Sequence, residues 1–210
     1  MSLLVQMKTL GHSTMHRLLQ KGFALIELVI VVAILAITAA IAVPNFIEFQ
    51  SRSTQSEART NLRAIYTGQM AFFQERKRFS QWTGEIGFDP DGNNRYAYFL
   101  SGDALMLQDR STTIIDHHRT TFTGIQVDTF VYGSTSYQAY RTTACGTRAT
   151  VIDSPPRFVA VAEGKIDAAL PVDEWSISSD SRVFRAHADC TADGDNPAGE
   201  PANDRNAAAH

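Results

Sequence analysis

The sequence predicts an α+β chain: a long N-terminal α-helix, half membrane-spanning and half amphipathic, packed on a small antiparallel β-sheet head. Three observations predict it. From Phe23 to Val43 every residue but Thr38 and Glu27 is apolar, and Glu27 is the only ionisable one. Ala58, Leu62, Ile65, Tyr66, Gln69, Met70 and Phe73 then recur at three- and four-residue spacing, which is one stripe of a helix. Beyond Phe79 the chain changes to Gly, Pro and Asn signals that separate short β-type runs.

Residues 1–22 carry Lys8, Arg17 and Lys21 and no acid, the character of a targeting leader. The apolar run that follows makes a helix of roughly 30 Å, enough to cross the hydrocarbon core of a bilayer. A carboxylate inside such a span costs a few kcal/mol, so Glu27 requires a specific role. Pro44 removes the hydrogen bond to the carbonyl of Ala40 and favours a kink there. Polar residues 48–57 contain no helix breaker, so residues 23 to about 77 are expected to form one rod of roughly 80 Å. The expected divisions are a leader at 1–22, a membrane helix at 23–43, an amphipathic spine at 44–78 and a head at 79–190. Within the head, strands are expected at 96–100, 124–132, 137–142, 157–162, 174–178 and 182–187, with Ser178–Ser181 as a hairpin loop. Residues 191–210, rich in Gly, Pro, Asn, Ala and Asp, predict a poorly ordered tail.

The formal charge of −3 over 210 residues argues against a general nucleic-acid binder. With the basic N-terminus in the cytoplasm, everything after Val43 lies across the membrane. In that oxidising compartment Cys145 and Cys190 are expected to form a disulfide, free thiols being the alternative.

Lys21-Gly22/Phe23-Ala-Leu-Ile-Glu27, followed by an apolar span ending at Pro44-Asn45-Phe46, resembles the class III signal of type IV prepilins. Gln55-Ser-Glu-Ala58, Asn61-Leu62, Ala71-Phe-Phe73, Gly92–Phe99 and Asp173-Glu-Trp-Ser-Ile177 are similar to type IVa major pilins of the myxobacterial and related delta-proteobacterial type. The resemblance implies the pilin fold and cleavage by a prepilin peptidase between Gly22 and Phe23, with methylation of the new Phe23 amine. It implies that Glu27 aligns an incoming subunit by attracting the N-terminal ammonium of another. A carboxylate facing an amine in a helix bundle offsets the cost of burying either alone. Two positions depart from the family pattern. Ala24 stands where Thr is frequent, and Ala36 where Gly is common. Ala favours helix over Gly by about 1 kcal/mol, which opposes the unwinding between Ala36 and Pro44 that the family implies.

No catalytic motif, metal centre or phosphate loop stands out. His12 and His16 lie in the leader, and His117-His118 has no second ligand pair at metal spacing. Asp189, Thr191, Asp193, Asp195 and Glu200, with Gly194 between, match calcium-loop spacing, but non-helical flanks and Pro197 count against that reading. Arg52, Arg59, Arg63, Arg76, Lys77 and Arg78 solvate the helix or pair with Glu48, Glu57 and Glu75. Phe46, Phe49, Tyr66, Phe72 and Phe73 read as packing residues.

The combined expectation is a structural pilus subunit, not an enzyme, with no cofactor. The resemblance implies a homopolymeric filament serving motility and adhesion. Its partners are the peptidase, an inner-membrane platform, assembly and retraction ATPases and an outer-membrane secretin. The precursor would reside in the inner membrane with its head in the periplasm, and the filament outside the cell. Other readings are a minor pilin, a type II secretion pseudopilin, or a single-pass binding or sensory protein with an uncleaved anchor.

Overall fold

The computed structural model describes residues 3–102, 106–113, 115, 121–133, 147–166, 172–184 and 194–205. Its first element is α1, Leu3–Arg76, and the chain divides into two compact units, Met1–Phe49 and Gln50–His210.

In the first unit the helix is uninterrupted through Ala36–Pro44. Thr38 fits into it because its hydroxyl donates to the carbonyls of Ile34 and Leu35, both at 3.0 Å.

In the second unit the apolar stripe of α1 becomes the spine of a folded head. Ala58, Leu62 and Ile65 are fully buried, with Tyr66, Met70, Phe72 and Phe73 packed around the same cluster. Gln69, also fully buried, exchanges hydrogen bonds with the backbone of Ser80, donating at 2.5 Å and accepting at 3.0 Å. The helix ends as Lys77 enters the left-handed region (φ 59°) and its N–H returns to the Phe73 carbonyl at 2.9 Å. That cap is normally a glycine's.

The strands of the head's main sheet are β1 Tyr96–Phe99, β2 Leu107–Gln108, β3 Gly124–Ile125, β4 Thr150–Asp153, β5 Pro156–Gly164, β6 Asp173–Ser178 and β9 Ala202–Arg205. A separate pair joins β7 Arg182–Phe184 to β8 Gly194–Asn196. The main sheet is mostly antiparallel and runs β2-β3-β1-β5-β6-β9, with β4 on β5. Among the described strands only β2 and β3 pair in parallel. On β5, Phe158, Ala160 and Ala162 join the cluster that holds the spine, while Val161 joins Ala97, Phe99, Val127 and Ala149 in a second cluster. Tyr96 and Tyr98 of β1 join the spine's cluster and Ala97 and Phe99 the other. Both faces of the central strands are covered.

Three expectations are corrected. Residues 124–132 do not form one strand: β3 ends at Ile125, and Thr129–Tyr132 is a short helix, α2. The chain turns at Asp128, whose carbonyl accepts the N–H groups of Val131 and Tyr132 and so starts α2, while its carboxylate holds the backbone N–H groups of Asn93 and Asn94. Ser178–Ser181 is not a hairpin loop, since β6 pairs with β5 and β9 while β7 pairs with β8. Within the expected tail, Gly194–Asn196 and Ala202–Arg205 form strands. The edge of β6 supplies backbone partners for β9, and Ala202 and Asp204 are buried against it. The expected strand at 137–142 lies outside the described residues.

Candidate functional site

In the first unit, α1 carries the features the sequence singles out. Leu25, Ile26, Leu28, Val29, Ile30, Val31 and the apolar residues onward to Val43 are all exposed, as are Phe46 and Phe49. Among the described residues none of this apolar stretch is buried. By length and composition this helix can cross a membrane. Glu27 is exposed among these side chains, on the same face as Val31, Ile34 and Thr38 by helical period. A helix apolar all round, and unburied among the described residues, needs an apolar surrounding such as lipid or packed helices. Gly22, Phe23 and Pro44 lie within the helical backbone.

In the second unit, polar side chains fasten the spine to the sheet. Asp173 of β6 is fully buried and accepts from four groups. Gln55 Nε2 donates at 3.1 Å, Tyr96 Oη at 2.6 Å, Trp175 Nε1 at 2.6 Å and Asn203 Nδ2 at 3.3 Å. The hub joins α1 to β1, β6 and β9. A second carboxylate, Glu57, accepts the backbone N–H groups of Arg95 and Tyr96 at 3.1–3.3 Å and the Tyr98 hydroxyl at 3.1 Å. Burial pushes the Glu57 carboxyl above its ordinary value, and the bonds donated to it act against that rise. Burial, then the neighbouring carboxylates, likewise pushes the Tyr96 and Tyr98 phenols upward. Behind the 89–94 loop sits Arg110, fully buried, donating to Gln108 at 2.9 Å and to the Pro90 carbonyl at 3.0 Å. It also stands 3.6 Å from Asp89 and 3.7 Å from Asp128.

This constellation can hold a shape. Among the described residues no group of three or more His, Cys, Asp or Glu side chains is placed to hold a metal. Of the calcium-spaced residues, Asp189, Thr191, Asp193 and the Asp195 side chain lie outside the description. Glu200 pairs with Arg63 at 2.9 Å. Cys145 and Cys190 also lie outside it.

The profile of the type IV pilin PilA family matches residues 49–196, and that of the prokaryotic N-terminal methylation motif matches residues 17–43. The chain belongs to the type IV pilin PilA family. The type IV major pilin protein PilA of Myxococcus xanthus is 39% identical over 202 residues, covering 89% of this chain and 91% of the relative. Other pilins match chiefly in part. The type IV major fimbrial protein FimA of Dichelobacter nodosus is 43% identical over 77 residues, 35% of this chain and 49% of the relative. The type IV major pilin protein PilE1 of Neisseria gonorrhoeae is 55% identical over 40 residues, 19% and 24%. This pilin is a structural subunit of a type IV pilus.

Sequence reasoning passes over the Asp173 hub and the Glu57 clamp. The only signals for them are the islands of resemblance around Gln55 and Asp173. Nothing in spacing joins Gln55 to a residue 118 positions later.

Proposed function

We propose that this pilin is a major subunit, made as a precursor that a prepilin peptidase cuts between Gly22 and Phe23, with methylation of the Phe23 amine. Before assembly it sits in the inner membrane with its N-terminus cytoplasmic and its head periplasmic. Residues 23–49 then pack with those of other copies as the filament core, and the heads coat the outside. Glu27 meets the Phe23 ammonium of a neighbouring copy and fixes the axial register. The single observation that carries this reading is the exposed apolar helix with one carboxylate near its start. Burying each Leu, Ile or Val there contributes about 1.5–3 kcal/mol, and pairing with an amine removes the cost of an isolated buried charge. The peptidase, an inner-membrane platform, assembly and retraction ATPases and a secretin are the partners such a cycle needs, and its outputs are motility and adhesion.

The test is the mass of the subunit in sheared surface filaments, where a methylated Phe23 N-terminus is expected. An intact leader would refute the processing. Glu27→Ala is expected to leave cleavage intact and abolish filaments, and wild-type filament yield from that variant would remove the alignment role.

A further inference from the structure

The head helix carries opposite charges on its two flanks. At about 100° per residue, Arg52, Arg59 and Arg63 fall within roughly 40° of one another, and all three are exposed. Glu57 and Asn61 lie about 120–180° around the same helix, on the other side of the buried Ala58-Leu62-Ile65 face. There they border an open cleft of about 410 Å³, whose other wall is the 89–94 loop with Asp89 and Asp91. Asp89 and Asp91 are both exposed at the mouth of the cleft, an acidic rim that a cationic side chain complements. An arginine brings such a rim both charge and several N–H donors.

We propose that the occupant is a second copy of this chain: the Arg52-Arg59-Arg63 flank of one head docks in the Glu57-Asp89-Asp91 cleft of the next. The proposal rests on the pilus-subunit reading and adds to it a head-to-head contact outside the helical core. Two different patches on one chain make a heterologous contact, which propagates as an open helix wherever its rotation does not close a ring. That is the symmetry a filament requires. The partial commitments of the arginines are compatible with docking: Arg59 lies over the Trp175 ring at 5.6 Å, and Arg63 pairs with Glu200 at an exposed site, where such pairs contribute little. Arg110 holds the acidic wall in place from behind, through the Pro90 carbonyl and Asp89.

Charge swaps in the full-length chain test the contact. Arg59→Glu and Asp91→Arg each set like charges against one another across the interface, and each is expected to lower the yield of sheared filaments about tenfold or more. The double variant Arg59→Glu/Asp91→Arg restores the pair with its sign reversed, and is expected to return the yield to within about threefold of wild type. Wild-type yield from either single variant, or a double variant no better than the singles, overturns the proposal. If a variant head fails to fold by its melting curve, Arg59→Lys decides instead. A carbodiimide reagent applied to filaments of that variant should join the introduced amine at position 59 of one subunit to Asp89 or Asp91 of another, in bands of two chains or more. Absence of those linked peptides overturns the contact. Wild-type filaments in the same preparation report on the pilus-subunit reading separately.

Discussion

Glu57 illustrates how one residue couples packing to pH. Its carboxyl is held above the ordinary value by burial, while the Arg95 and Tyr96 amides and the Tyr98 hydroxyl favour the charged form without fully offsetting that burial. Because the native value is higher than the unfolded one, the native state binds more protons in the window between them. Stability from this group is therefore fully present below about pH 4.3, the unfolded value. It is lost as pH rises through the native value, then stays level. Glu57→Gln is expected to flatten that part of the profile, seen as a smaller difference in urea midpoint between pH 4 and pH 7 than in wild type. An equal difference in both would mean that Glu57 titrates alike in the native and unfolded chain. At the same scale, Leu62 is fully buried at the centre of the spine. Leu62→Ala is expected to cost about 2–5 kcal/mol, measured by denaturant unfolding of the head.

At the scale of elements, the contact between α1 and the loop after it is decided by a glycine. A Cβ on Gly68 would lie 2.4 Å from the carbonyl oxygen of Ile86. Helix propensity alone makes Gly68→Ala favourable by about 1 kcal/mol, but the obstructing atom is backbone, and overpacking of this kind costs about 1–3 kcal/mol. The net sign is destabilising. A lowered melting temperature for Gly68→Ala is expected, and a raised one would show that the loop gives way freely. The same elements show what the sequence could tell. The spine was legible because one of its faces is buried, so that its apolar stripe follows the helical period. The strands were less so. In β1 all four residues are buried, leaving no alternation to read. β9 is Ala-Asn-Asp-Arg, a strand without bulky apolar residues. It is held by the β6 edge, by Ser176 donating to Asp204 and by Asn203 donating to Asp173. No local propensity predicts that. Of the candidate site, Glu27 and the apolar helix were legible because a lone charge in an apolar run is a local anomaly. The Asp173 hub was not, since its donors come from distant strands and from α1.

For the whole molecule, the two units place opposite demands on solvent. Among the described residues, the first exposes its apolar side chains from Leu25 onward, whereas the second has its own core and its own polar fastenings, the Asp173 hub and the Glu57 clamp. The hydrophobic driving force for polymerisation should therefore reside in the first unit, with the charged flanks of the head adding orientation and register. A chain starting at Gln50 is accordingly expected to be soluble, to unfold in one cooperative transition and to sediment as a monomer at physiological salt. Restoring residues 23–49 should convert it to a species that requires detergent, lipid or polymerisation. Sedimentation of the two chains side by side checks this. Stable filaments from the chain starting at Gln50 would shift the main driving force from the helix to the heads, and the charged flanks of the head helix would then be the first place to seek it.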